Sequence, residues 1–125
     1  SQHNRMLMDQ FKIFAEQRHY IDILRDHAVN YAVVDSPLLL GLLYGEKYGT
    51  VNEDFAKVIV NEFNTFDNVN FFVTRTVPFD EVGRVESMEE SDDDSNHLRE
   101  LLNKHNINYV EINTTTGIDE ILKYI

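Results

Sequence analysis

Cysteine is absent from this sequence of 125 residues. Its absence excludes disulfides, thiolate catalysis and zinc sites built on cysteine, but it does not identify the compartment. No apolar run approaches the ~20 residues of a transmembrane helix, and no secretory signal is visible, so we expect no membrane association. The five histidines show neither His-x-x-x-His nor His-Glu-x-x-His spacing, so we expect no zinc site.

Basic residues are scarce as well. Lysine and arginine number 11 against 22 acidic residues, which gives a net charge of −11 and a pI of about 4.7. This charge argues against non-specific nucleic-acid binding and against an anionic membrane surface. It does not exclude a nucleotide, which a few local cations and a metal ion can hold. We expect a single domain over 1–125, or a large part of one.

A short apolar stretch that ends in an aspartate, residues 30–35, organises the rest of the chain. Its β-branched centre is typical of a strand buried on both faces of a parallel sheet. In an open α/β fold the ligand crevice lies beyond the carboxyl ends of such strands, where Asp35 stands. Ser36 suits a helix N-cap and Pro37 the first helical turn, so we expect a buried, leucine-rich helix as far as Tyr48.

Helical and strand patterns alternate along the remaining chain. Helices are predicted over 5–27, 52–66 and 118–125, and strands over 69–75 and 107–113. Residues 77–94 lose the periodicity and carry many acidic side chains, which indicates a mobile surface segment before a helix that begins near Asp94 or Ser95. Strands separated by helices require crossovers, and crossovers imply a parallel sheet.

Three parallel strands make a thin sheet with poorly protected edges, and the first helix has no earlier strand to pack on. We therefore expect a three-layer α/β fold with strands missing on its N-terminal side. The chain also opens on Ser1 inside a helical pattern, which points to a processed or truncated N-terminus.

The stretch around Asp35 resembles a known family. Residues 33–36, the leucines after them and residues 44–49 are similar to the P-loop ATPase/kinase family that includes the nicotinamide riboside kinase domain of bifunctional NAD-biosynthesis regulators. Relatives of this kind also occur in phages. The resemblance implies a P-loop-NTPase-like topology.

Further features along the chain fit the same family. Gln17 lies on the helix before the expected strand, where these proteins often carry a glutamine. Thr74-Arg75 looks like the entry to a kinase lid, which implies a lid-like segment over 76–105. Residues 109–113, with Gly117 after them, resemble the last strand and its adenine-side loop.

One motif of the family is missing. No Gly-x-x-x-x-Gly-Lys-Ser/Thr loop, which would cradle the phosphates, occurs in the 125 residues. The expected topology therefore lacks its first strand–helix unit. Either the chain is the remainder of a longer kinase-like protein, or it is a relative that lost ATP chemistry.

The resemblance implies a role for each residue of the candidate site. Asp35 would hold Mg²⁺ through water or accept the proton of an attacking hydroxyl. Arg84 on the lid, with Arg75 at its root, would bring positive charge to the transferred phosphoryl group. The acceptor pocket would be lined by Gln17, Ser36, Tyr44 and Tyr48. The ATP side would be lined by Asn113, Thr114, Thr115 and Gly117.

Plainer interpretations of the same residues remain open. Asp35 with Ser36 can be a helix cap only. Arg75 and Arg84 can be ion-pair partners in an acidic protein. The glutamine and the tyrosines can be ordinary surface and core side chains.

We expect a nucleoside or nucleotide kinase-like domain, which uses ATP and Mg²⁺ if a phosphate-binding loop is supplied, in the cytoplasm or, if phage-encoded, in the host cytoplasm. The competing hypothesis is a non-catalytic binding or regulatory protein of degenerate P-loop fold, acting through a homo-oligomer or a protein partner. A flavodoxin-like domain with Asp35 as phosphoacceptor ranks lower, because residues 112–114 lack the lysine expected there. No Gly-x-Ser-x-Gly motif supports a hydrolase.

Overall fold

A computed structural model describes residues 2–35, 37–49, 52–74 and 88–125, with the backbone alone for residues 2–7, 48 and 88–91. Its elements are α1 (Gln2–Asp26), α2 (Leu40–Tyr48), α3 (Glu53–Phe63), β1 (Phe71–Thr74), α4 (Met88–Lys104), β2 (Val110–Asn113) and α5 (Gly117–Leu122). The chain divides into two compact units, the first ending at Phe66 and the second beginning at Asp67.

The first unit is helical, and α3 carries the centre of its core. The helix begins where predicted, because the Asn52 side-chain oxygen accepts a hydrogen bond from the Phe55 backbone N–H over 2.8 Å. Its apolar residues recur every four positions, so Phe55, Ile59 and Phe63 are all buried on one stripe. The buried leucines of this unit come from α2 and the turn before it: Leu38, Leu39, Leu42 and Leu43.

Aromatic rings join α1 to α3. Phe11 and Phe14, three residues apart on α1, both meet the Phe55 ring edge-on, with centroids 4.3 Å and 5.6 Å away. Edge-to-face contacts of this kind add to the stabilisation that the rings gain from burial. Through these phenylalanines α1, predicted over 5–27 and observed over Gln2–Asp26, packs against α3.

Arg18 makes the main polar contact at the edge of this core. It pairs with Asp22 one turn later on α1, and its Nε lies 2.8 Å from Oε2 of Glu62 on α3. Its guanidinium also stands 4.9 Å from the centroid of the Phe66 ring. The hydrogen bond from Arg18 lowers the pKa of Asp22 below its ordinary value.

Residues 31–34, between α1 and α2, are irregular. No backbone hydrogen bond joins them to another described residue. Tyr31 is 62% exposed and Val33 is 96% exposed. The strand predicted at 30–35 is therefore not formed, because a strand requires a partner for its backbone groups.

The start of α2 also differs from the prediction. The Leu40 N–H bonds to the Pro37 carbonyl over 3.0 Å in a turn that precedes the helix. Pro37 thus lies before α2 rather than in its first turn. Ser36, the predicted N-cap, lies outside the described residues.

The second unit is built on a β1–α4–β2 crossover. The two strands pair in parallel, with Phe71 opposite Val110 and Thr74 opposite Asn113. The Val110 N–H donates to the Asn70 carbonyl over 2.9 Å at one end of the pair. The predicted parallel pairing of these two strands is confirmed. The buried side chains of the unit come from α4, β2 and the turn between them: Leu101, Leu102, Ile107 and Ile112.

The helix α4 begins earlier than predicted, at Met88 rather than near Asp94 or Ser95. The acidic residues 89–94 therefore lie in the first turns of a helix and not in a loop. Negative side chains near a helix N-terminus interact favourably with the helix dipole. Of the lid-like segment 76–105, the structure describes the part from Met88 onward. None of the helices among the described residues is long and apolar enough to cross a membrane.

Candidate functional site

In the first unit, Gln17 of the predicted acceptor pocket lines a shallow depression of about 10 Å³. Its walls come from α1, from α3 and from the start of α2: Gln10, Ile13, Phe14, Gln17, Leu38, Gly41, Phe55 and Ile59. A single water needs about 10–15 Å³ of such space. The depression therefore takes about one water molecule and not a nucleoside.

Asp35 lies in a bend just after the irregular stretch, and its side chain is exposed. Among the described residues it has no hydrogen bond or ion pair. Tyr44 of α2 is 43% exposed, and Tyr48 is the last residue of that helix. The described part of the first unit thus holds these predicted residues without enclosing a pocket around Asp35.

Asp35, the residue that the resemblance assigns to Mg²⁺, is a single exposed carboxylate. Mg²⁺ is usually bound through one or two carboxylates together with substrate phosphates. Among the described residues, no three or more histidine, aspartate or glutamate side chains converge into a metal site. Asp35 therefore belongs to no such cluster among the described residues, and the structure shows no built metal site around it.

The residues predicted for the ATP side run from the last residue of β2, across the loop after it, to the first residue of α5, at the carboxyl end of the strand pair. The Asn113 Oδ1 accepts hydrogen bonds from the backbone N–H of Thr115 over 2.9 Å and of Thr116 over 2.8 Å. It also accepts one from the Thr116 hydroxyl over 3.1 Å. The Thr114 N–H donates to the Thr74 carbonyl over 3.2 Å, so the loop is joined to the end of β1.

Gly117, at the start of α5, is a glycine for a reason of packing. It is buried, and a Cβ added there would stand 3.2 Å from Cδ1 of Ile112 in β2. That distance is closer than ordinary van der Waals contact. The glycine thus lets α5 approach the strand, a role that the adenine-side interpretation did not include.

Arg99 on α4, which no sequence pattern singled out, spans the strand pair. Its Nε lies 2.7 Å from Oε1 of Glu111, and its guanidinium stands 4.3 Å from the centroid of the Phe72 ring. Phe72 and Glu111 are opposite each other in the parallel register. This cation is therefore engaged by the sheet, and it stabilises the pair rather than facing a ligand.

The structure thus brings together the ATP-side residues of the second unit and leaves Arg75 and Arg84 outside the described residues. The sequence analysis named Thr74 only at the lid entry, and it did not predict that the Thr74 carbonyl and Thr116 hold this loop in place. The bond to Thr115 could have been expected, because asparagine side chains commonly bond the backbone N–H two residues further on. The bond from the Thr114 N–H to the Thr74 carbonyl could be predicted only by someone who knew the strand register.

Comparison with known proteins gives this chain no relative. It matches no protein-family model, and neither the curated proteins nor the solved structures provide a significant match. The resemblance to P-loop kinases therefore rests on the residues quoted for it.

Proposed function

We propose that this chain is part of a nucleoside or nucleotide kinase that uses ATP and Mg²⁺. The observation that carries the proposal is the loop of residues 113–117, held at the carboxyl end of a parallel β–α–β unit. Parallel sheets bind their ligands beyond that end of the strands. A loop in this position supports the nucleotide-side role that the resemblance implies for these residues.

The acceptor side of this kinase is assigned to the first unit. Asp35 is exposed and so accessible to a hydroxyl nucleophile or to hydrated Mg²⁺. Gln17 and Tyr44 keep the acceptor contacts that the resemblance implies, although the depression beside Gln17 does not hold a nucleoside. Ser36 and Tyr48 keep the acceptor roles that the resemblance gives them. In the proposal, ATP-dependent transfer of this kind takes place in the cytoplasm.

The positive charge that phosphoryl transfer needs is assigned to two arginines that the structure does not describe. Arg75 and Arg84 are assigned to the transferred phosphoryl group, whose charge requires cations in the transition state. The 125 residues contain no glycine-rich phosphate loop. Transfer therefore requires such a loop from residues outside this sequence or from another chain.

Nucleotide binding is tested by titrating the ¹⁵N-labelled protein with adenosine, with Mg-ATP and with tripolyphosphate. We expect adenosine and ATP to shift the amide resonances of residues 113–117, and tripolyphosphate alone to leave them in place. Unchanged spectra at saturating ATP would contradict the proposal.

Catalysis is tested on the protein isolated at its native length, after its intact mass and N-terminal sequence are determined. Asp35→Asn should abolish transfer of the γ-phosphoryl group of ATP to a nucleoside. The matched variant is Asp26→Asn, which makes the same change at an exposed residue at the end of α1 and should retain activity. Equal activity in both variants would remove Asp35 from the mechanism.

A second candidate function is binding or regulation through protein association, which the exposure of residues 31–34 favours. An exposed, β-prone stretch without a partner is a site where another chain can add. If this is its role, Val33→Asp should reduce self-association or partner binding in sedimentation experiments and leave ATP binding intact. An unchanged sedimentation profile across concentrations and partners would count against it.

A further inference from the structure

The loop after β2 uses its backbone N–H groups internally. The Thr114 N–H donates to the Thr74 carbonyl, and those of Thr115 and Thr116 donate to Oδ1 of Asn113. Loops that bind phosphate do so by pointing successive backbone N–H groups at the anion. Three consecutive amides are committed here, so this loop does not serve as a phosphate cradle.

Asn113 contributes to this arrangement through one atom. Its Oδ1 accepts three hydrogen bonds, two from backbone amides and one from the Thr116 hydroxyl. The side chain is half-buried at the end of β2, which fixes the oxygen relative to the strand. No described contact involves its amide nitrogen.

We propose that Asn113 is a positioning residue, which shapes the nucleobase side of the ATP site through its oxygen and does not touch the nucleotide. This inference rests on the proposed function. It revises the role that the resemblance gave to Asn113, from a contact to ATP to a brace for residues 114–117. An aspartate has the same acceptor oxygen at the same place, so it can replace the asparagine.

The experiment compares Asn113→Asp with Asn113→Ala, using adenosine as the probe because it carries no phosphate charge. Amide hydrogen exchange at Thr115 and Thr116 reports the loop, and titration by NMR reports affinity. Asn113→Asp should keep the slow exchange and bind adenosine within about twofold of wild type. Asn113→Ala should lose the slow exchange and bind about fivefold more weakly, the ratio expected for the loss of one capping interaction.

Two controls keep the comparison interpretable. Asn103→Ala makes the same change at an exposed position near the end of α4 and should alter neither readout. The Val110 amide, which bonds to the Asn70 carbonyl, should keep its protection in every variant and so reports that the strand pair is intact.

The outcomes separate the inference from the function on which it rests. If Asn113→Asp keeps the slow exchange but binds as weakly as Asn113→Ala, the amide nitrogen touches the ligand and the inference is wrong. Unchanged exchange and affinity in Asn113→Ala would also overturn it. If wild type binds neither adenosine nor ATP, the proposed function fails, while the exchange rates still decide whether Asn113 braces the loop.

Discussion

Two stretches of similar composition have different structures in this chain. Residues 31–34 contain a tyrosine and two valines, and β1 at Phe71–Thr74 contains two phenylalanines and a valine. Both are rich in residues that favour strands. β1 is paired along its length with β2, whereas no backbone hydrogen bond joins residues 31–34 to another described residue.

The difference shows that a partner, and not propensity, decides whether such a stretch is a strand. Backbone groups must be bonded in sheets or left to water. In the second unit, the crossover through α4 returns β2 to the side of β1 in register. In the first unit, the elements around residues 31–34 are helices, which satisfy their own backbone groups and offer none to a neighbour.

The largest effect should come from placing proline in β2, the strand that pairs with β1, whereas proline within residues 31–34 should have little effect. Val110→Pro removes the N–H that bonds to the Asn70 carbonyl, and we expect it to cost about 3 kcal/mol or more, comparable to proline inside a helix. Val33→Pro makes the same change where the side chain is 96% exposed. We expect it to change the free energy of unfolding by less than about 0.5 kcal/mol.

Urea unfolding followed by circular dichroism measures both variants, and amide exchange at Phe72 and Ile112 reports the strand pair directly. Similar costs for Val33→Pro and Val110→Pro would mean that residues 31–34 are paired in solution. The comparison of the two stretches would then be wrong.

The first unit should depend on its helical core and not on residues 31–34. Ile59 is 1% exposed at the centre of that core, and Ile59→Ala should cost about 2–5 kcal/mol through lost burial and the cavity left behind. Val58→Ala, at the next position of α3 with its side chain 46% exposed, is the matched change and should cost less than about 1 kcal/mol. Equal effects in urea unfolding would show that Ile59 does not pack as described.

Sequence patterns predict the elements of this chain whose signals are local. The stripe of Phe55, Ile59 and Phe63 and the cap at Asn52 are both visible in the sequence, and the structure contains both. The parallel pairing of β1 with β2 followed from the helix between them. The three-layer sheet as a whole stays a prediction, since the described sheet contains these two strands alone.

Patterns that depend on distant partners could not be predicted in the same way. The stretch 30–35 has the composition of a strand, but composition does not reveal whether a neighbour exists. Acidic residues 89–94 suggested a loop, because negative charge is typical of both solvated loops and helix N-termini. For the candidate site, Asn113 was found from the resemblance, but its three hydrogen bonds depend on the conformation of the loop.

A smaller effect should come from the cation that spans the strand pair. Arg99→Ala removes the ion pair with Glu111 and the contact with the Phe72 ring. Because both interactions are partly exposed, we expect a loss of about 1 kcal/mol in the free energy of unfolding. Lys104→Ala, at the last residue of α4, is the control and should cost less than about 0.5 kcal/mol. A loss no greater than that of the control would show that Arg99 does not support the sheet.

The smallest effect is expected for Arg18 of the first unit, which pairs with Asp22 as Arg99 pairs with Glu111 in the second unit. The hydrogen bond from Arg18 is the main cause that lowers the pKa of Asp22 from its ordinary value of 3.8. The stabilisation from this pair is therefore fully present above that value and is lost as the pH falls through the lower pKa of the folded state. In Arg18→Gln, the pKa of Asp22, followed by carbon NMR of its carboxyl, should rise towards 3.8. Arg25→Gln should raise it less, because Arg25 acts on Asp22 by charge alone. An equal rise in the two variants would mean that long-range charge, and not the hydrogen bond, holds Asp22 ionised.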